Sequence, residues 1–242
     1  MSSLDHKALL KVLKSGNLQL EGEFVWGSNS TFYVTINSDG QIWRAVYKPL
    51  RGERPLWDFP PRTLAKREVA AYLVSQALGW ELVPPTVFRE EAPFGAGSIQ
   101  LYIEHDPDYH FFAFTQRDRQ RLRPVVAFDL VVNNADRKAG HVLVDKDRHI
   151  WCIDHGICFH VEEKLRTVLW DFAAEPIPAE LVNDLRRVRE EIEAETDWVK
   201  QLQSYLSMAE IVALQRRIEA ILREPFFPSP PEDRRPFPWP PI

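Results

Sequence analysis

The sequence predicts an α+β fold in two lobes, a β-rich first half followed by a mainly helical second half. Three observations carry that expectation. Between Leu18 and Tyr47 the apolar residues recur with a period of two, as half-buried strands require. From Pro178 to Arg223 they recur at helical spacing. Between these stretches, residues 129–160 set Asp136, Asp154 and four histidines around two short Val- and Ile-containing runs, 141–144 and 149–153, separated by the turn-like Asp145-Lys146-Asp147-Arg148. A hairpin returns its outer ends to one place, so Asp136, His141 and Asp154 are expected at a single mouth. Acidic and imidazole groups there can hold a divalent cation and position a nucleophile. The adjacent Asp136-Arg137 reads as an ordinary surface contact.

A chain of 242 residues with 45% hydrophobic content has ample material for a core. Its net charge of -5 argues against nucleic acid or an anionic membrane as the main partner. No apolar run is long enough to span a bilayer, and residues 1–6 lead into a charged helix rather than a signal peptide, so a cytoplasmic location is expected. The two cysteines, Cys152 and Cys158, fit a reducing compartment and provide no disulfide framework.

In chain order, residues 4–14 read as a helix stopped by Gly16. Leu18, Leu20, Phe24 and Trp26 share one strand parity, which Phe32, Val34 and Ile36 continue across Gly27-Ser28-Asn29-Ser30-Thr31. Asn37-Ser38-Asp39-Gly40 is a turn, and 41–47 is a third strand delivering Lys48 to a sheet end before Pro49. The polar loop between the first two strands offers backbone amides and short polar side chains to phosphate oxygens, although an ordinary hairpin loop has the same composition. Residues 63–78 read as a helix closed by Gly79, with Glu68 on or beside its apolar side; a carboxylate there wants a cation, and Lys48 is the sharpest candidate. Strands are expected over 82–88 and 98–104, then a helix over 115–133 that Pro124 breaks or kinks in its middle. Further helices are expected over 162–173, 178–195, 196–206 and 208–223, the last opened by a Ser207/Glu210 capping box. The tail from Glu224 onward carries eight of the nineteen prolines, with Phe226, Phe227, Phe237 and Trp239; its aromatics favour packing on the body over a free linker.

The ordered segments GSNSTFYVTI, AVYKPL, LAKREVAAYL, NNADRKAGH and CIDHG resemble an uncharacterised bacterial family related to the phosphatidylinositol 3- and 4-kinases, with similarity also to the HipA-type kinases. The resemblance implies a two-lobed protein-kinase-like fold: a nucleotide-binding lobe over 1–105, a helical lobe with the catalytic and metal loops over 106–223, and the tail over 224–242. It implies that Ser28, Asn29, Ser30 and Thr31 cover the phosphates of ATP, that Lys48 contacts the α- and β-phosphates, and that Glu68 holds Lys48. Gln100, Tyr102 and Ile103, within a hinge over 100–104, would meet adenine. Asp136 would be the catalytic aspartate and Asp154 the metal-binding one. Where these kinases carry a second-metal asparagine five residues after the catalytic aspartate, this chain has His141, whose nitrogen suits Mn²⁺ better than Mg²⁺.

The expected activity is transfer of the γ-phosphoryl group of ATP, with Mg²⁺ or Mn²⁺, to an unidentified protein or small-molecule hydroxyl, a lipid being disfavoured because no basic, aromatic-rich loop follows Asp154. Transfer of AMP is a variant within that class. Two alternatives stay open: a nucleotide-binding pseudokinase, which His141 motivates, and a metal-dependent hydrolase built from His105, Asp106, Asp136, His141, Asp154 and His155.

Overall fold

The computed structural model describes residues 3–24 and 29–242; the expectations for Trp26 and Ser28 lie outside the described residues. Strands β1 (Asn17–Glu23), β2 (Phe32–Ser38), β3 (Gln41–Pro49), β4 (Thr86–Arg89) and β5 (Gly97–Leu101) form one antiparallel sheet in the order β1-β2-β3-β5-β4. The register sets Phe32 opposite Tyr47 and Val34 opposite Ala45, so the two-residue periodicity of both strands points to one face. Helix α1 (Ser3–Ser15) covers that face, seating Leu9 and Leu13 on Val34, Ile36, Ala45, Tyr47 and Ile99. Gly97 pairs with Pro49 next to Lys48, and a Cβ there would strike the Lys48 carbonyl, so glycine is what lets β3 and β5 close where Lys48 leaves the sheet.

Helix α2 (Leu64–Leu78) is apolar around most of its surface because it packs on β4 and β5 on one side and on the later helices on the other. Gly79 ends it at φ +73, donating its N–H to the Gln76 carbonyl at 3.0 Å. The second lobe contains α3 (Gln116–Gln120), α4 (Arg123–Val132), the hairpin β6 (Val142–Val144) with β7 (Ile150–Cys152), and helices α5 (Ala179–Glu193), α6 (Asp197–Leu202) and α7 (Met208–Arg223). One large core cluster spans α2, α4, the hairpin and α5 to α7. The capping box at α7 is present, with the Ser207 side chain and Glu210 each satisfying the other's backbone. Among the described residues no helix is long and apolar enough to cross a membrane.

One expectation is sharpened and one needs correction. Of the break or kink expected at Pro124, the structure has the break: residues 115–133 form two helices divided at Arg121-Leu122, and Pro124 serves in the first turn of α4, where its missing N–H leaves no hydrogen bond unmade. Residues 162–173 are not helical. Their Leu165, Val168, Leu169 and Phe172 fit a helical period and are all buried. The chain takes the extended option because its amides pair with the loop after α4: Arg166 N–H donates to Asn134 O at 2.9 Å, Arg137 N–H to Arg166 O at 3.0 Å and Val168 N–H to Arg137 O at 3.1 Å. Tertiary hydrogen bonding outweighs a helical propensity worth only tenths of a kcal/mol per residue.

The proline-rich tail runs along the helical lobe. Phe227 is buried against Phe172, and Thr167 and Ala139 donate to the carbonyls of Pro236 and Pro241 at 3.0 and 2.8 Å. Phe226, Phe237 and Trp239 stay exposed, so packing involves only part of its aromatic content.

Candidate active site

Between the sheet and the β6–β7 hairpin lies a cleft of about 450 Å³. β3 brings Lys48 to its floor. The Lys48 ammonium ion-pairs with Glu68 of α2 and lies 3.0 Å from Oδ1 of Asp154, which immediately follows the hairpin. Glu68 is buried at 2% exposure, so an unpaired carboxylate there would be costly; its other oxygen accepts the His155 backbone N–H at 2.9 Å. Burial works against the charge on Lys48, but Asp154 and Glu68 more than offset it and hold the amine protonated far above neutrality. Burial likewise opposes the charge on Asp154, and the positive charge of Lys48, joined by His141 only when that ring is protonated, outweighs it, keeping the carboxyl well below the usual range.

Asp136 faces the same cleft. The tight turn after α4, opened by Asn133 at φ +54, sets it there. Asn134 locks the turn: its Oδ1 accepts the Asp136 N–H at 2.9 Å, and its Nδ2 donates to Asp129 at 3.0 Å. Burial raises the Asp136 carboxyl to about 6; Lys138, 3.8 Å away, pulls it down, and the negative Asp154 pushes it back up. A carboxylate titrating near the working pH is suited to taking a proton from a hydroxyl.

Arg137, read from the sequence as a surface contact, is instead wholly buried and holds the loops together. All five of its N–H groups are engaged: with both carboxylate oxygens of Asp129, with the carbonyls of His141 and Ile153 at 3.2 and 3.0 Å, and with Nε2 of His155 at 2.9 Å. The signal available in the sequence was Asp129 itself, a carboxylate inside the apolar run VVAFDLVV, which demands a buried cationic partner. Because Arg137 can only donate, a neutral His155 carries its proton on Nδ1, which lies 3.9 Å from Glu68.

His141 presents a specific electrostatic problem. Its Nδ1 lies 3.1 Å from the Asp136 carbonyl and its Nε2 lies 3.3 Å from Asp154 Oδ2. Burial, helped by Arg137, Lys138 and Lys48 and opposed by Asp154, lowers its pKa to about 4, so the ring is neutral at physiological pH. A neutral imidazole has one N–H and two acceptor neighbours here. Whichever nitrogen carries the proton, the other aims a lone pair at an oxygen. A cation between His141 and Asp154 removes that conflict, so these residues fit a divalent metal. Among the described residues no three His, Cys, Asp or Glu side chains gather as a metal site from protein alone. Of the six residues of the hydrolase alternative, His105, Asp136, His141 and Asp154 line this cleft, whereas Asp106 accepts the Asp108 N–H at 3.0 Å and His155 is turned to Arg137.

At one end of the cleft lie Asn29, Ser30 and Thr31; Val46, Leu143 and Ile153 provide apolar surfaces, and Gln100, Tyr102 and Ile103 line its edge. Gln100 sits within β5 with its amide on Thr86 at 2.9 Å, and the N–H groups of Leu101 and Tyr102 are taken by Pro85 and Arg44 at 2.9 Å each, while among the described residues those of Ile103 and Glu104 have no backbone partner.

The family model described as phosphatidylinositol 3- and 4-kinase matches residues 61–212, well over half of the chain. The chain belongs to that family. Protein Rv2133c of Mycobacterium tuberculosis is 37% identical over 264 aligned positions covering 95% of this chain and 94% of that one. Phosphatidylinositol 4-kinase gamma 4 of Oryza sativa is 29% identical over 195 positions, covering 64% of this chain and 34% of the plant protein; its Arabidopsis thaliana namesake is 26% identical over 220, covering 72% and 38%. This family member thus spans little more than a third of the plant kinases. Among solved structures, the Golgi casein kinase with Mn/ADP bound superposes with a TM-score of 0.59 at 15% identity, over 92% of this chain and 76% of that one. Hydra Fam20 with sugar gives 0.60 at 14%, over 92% and 88%. The fold is kinase-like.

Proposed function

We propose that this kinase-family protein is an ATP-dependent phosphotransferase that moves the γ-phosphoryl group to a hydroxyl of a protein or small molecule. The observation that carries this reading is Lys48, ion-paired at once with Glu68 and Asp154 at the floor of a cleft into which Asp136 also points. Phosphoryl transfer needs little covalent chemistry from the protein and much positioning and charge neutralisation, and this set has the parts for both. Asn29, Ser30 and Thr31 are suited to phosphate oxygens, Val46, Leu143 and Ile153 to a flat aromatic base, and the Ile103 N–H to its edge.

His141 and Asp154 would hold a divalent cation, which when bound neutralises phosphate charge. The nitrogen donor favours Mn²⁺ over Mg²⁺. Asp136 takes the proton of the attacking hydroxyl, and the Asn134 side chain fixes the backbone from which it acts. Lys48 steadies phosphates while Glu68 fixes its position. The two free, buried cysteines suit a reducing, cytoplasmic setting.

The test is calorimetry with ATP in Mg²⁺ and in Mn²⁺ on wild type and Asp154→Ala, followed by release of labelled γ-phosphate to water and to casein as a generic acceptor. Metal-dependent binding weakened at least tenfold by Asp154→Ala, with transfer abolished by Asp136→Ala, is expected. Absence of nucleotide binding under both metals overturns the proposal. Binding without transfer under either metal would favour the pseudokinase reading, to which the unusual His141 lends support.

A further inference from the structure

Between β3 and α2 the chain runs through LRGERPLWDFPPR, a segment that the catalytic reading leaves without a role. It is held firmly at several points. Ser30 N–H donates to Gly52 O at 3.1 Å, Arg54 N–H to Asn29 Oδ1 at 2.7 Å, and Ala65 N–H to Glu53 Oε1 at 2.8 Å. On its far side His160 donates to Asp58 O at 2.9 Å, Lys164 lies 3.3 Å from the Asp58 carboxylate, and Phe59 is buried against the His160 ring. The segment therefore bridges the loop at the phosphate end of the cleft and the extended stretch after Asp154.

Its surface encloses a dimple of about 160 Å³ lined by Arg51, Arg54 and Arg62, which shares the wall of Glu53 and Leu64 with the large cleft. All three arginines are exposed, and among the described residues none of their guanidinium groups has an acid or carbonyl partner. Arg44, Arg67, Arg123, Arg137 and Arg148 are each committed to a carboxylate, and the chain as a whole is net negative at -5, so three arginines lining one hollow are a local concentration of positive charge. Each guanidinium offers a planar fork that matches two phosphate oxygens, and three converging forks exceed the charge of one phosphate dianion. A carboxylate has fewer oxygens and a smaller charge to answer three such groups. Within the same segment Trp57 stands 91% exposed with the Lys164 amine 5.1 Å from its ring centroid.

We propose that Arg51, Arg54 and Arg62 form a binding site for a phosphate monoester group. Its place at the phosphate end of the cleft makes it a site for an acceptor that already carries a phosphate; that role rests on the phosphotransferase reading, whereas the anion site does not. The shared chemistry is the phosphate dianion, presented by a soluble ester or by a lipid headgroup.

The experiment uses the full chain without ATP or metal, as wild type, as the double variant Arg54→Ala/Arg62→Ala, and as Lys48→Ala. Two probes are titrated: O-phosphoserine by calorimetry, and phosphatidylcholine vesicles containing phosphatidic acid by sedimentation. The expected result is binding of at least one probe that the double variant weakens tenfold or more and Lys48→Ala changes less than twofold. Phosphoserine binding assigns the site to a soluble ester, and binding to vesicles alone assigns it to a lipid. No binding of either probe, or binding lost with Lys48 and kept by the double variant, overturns the proposal. ATP binding by the double variant, tested separately, reports on the catalytic reading, so failure of one is not read as failure of the other. Both arginines are exposed, so their removal leaves the core untouched.

Discussion

Replacing Asp136 with asparagine is expected to stabilise the protein while abolishing transfer, and the size of the stabilisation follows from the site. The side chain is only 28% exposed, and burial lifts its carboxyl from 3.8 to about 6. The folded state therefore holds the proton about two powers of ten more tightly than the unfolded chain, equivalent to about 3 kcal/mol. The sign follows from proton binding. Between about pH 4 and pH 6 the folded protein is protonated at this group and the unfolded one is not, so stability falls as pH rises through that window, and the full penalty applies above it. Asparagine never ionises and escapes the penalty. Thermal melts of both proteins at pH 4.5 and pH 8 measure this. The variant should gain about 1 kcal/mol at pH 4.5 and at most about 3 kcal/mol at pH 8, the latter raising Tm by roughly 5–10 °C in a chain of this length. A gain of equal size at both pH values, or a loss at pH 8, refutes the reasoning that burial strains this carboxylate. Transfer at pH 8 should fall by about 10² or more, since the proton acceptor is gone.

Other perturbations have distinct readouts. Lys48→Met leaves Glu68 buried without its cation and should cost about 3 kcal/mol in urea denaturation, along with the loss of ATP binding in calorimetry; unchanged stability would mean the pair contributes nothing net. Asn134→Ala strands the Asp136 N–H and removes one of several hydrogen bonds to Asp129 Oδ1, for about 1–3 kcal/mol of stability, and should lower kcat while leaving the ATP dissociation constant within twofold. His141→Asn replaces a nitrogen donor with an oxygen donor and should shift the ratio of Mn²⁺ to Mg²⁺ affinity toward Mg²⁺ by tenfold or more, measured by calorimetry. Below about pH 6, transfer by the wild type should decline with a single ionisation as Asp136 becomes protonated, and the pH profile of kcat/KM checks it.

The parts of the site readable in the sequence were those with short-range signatures. Lys48 stands where a strand meets a proline, Glu68 sits on an apolar helix, and Asp136, His141 and Asp154 flank a hairpin whose closure is a local event. Where a local signal competed with distant partners, it misled. Residues 162–173 fit a helical period, and their extended course was set by amide partners on the loop after α4, far away in sequence. Likewise, only the completed sheet shows that Pro85 and Arg44 take the amides of Leu101 and Tyr102.

Arg137 marks the boundary between the two kinds of information. Its identity and its place beside Asp136 are in the sequence, but whether a guanidinium faces water or the core depends on five acceptors from Asp129, His141, Ile153 and His155 converging on it. The sequence alone determined the alternation that builds the sheet, the caps that bound α2 and α7, and the residue types with the required chemistry, because these depend on neighbours within one turn or one strand. Only the tertiary structure decided which charges are buried and paired, because the free energy of a buried ion depends on partners that the folded chain alone brings within reach.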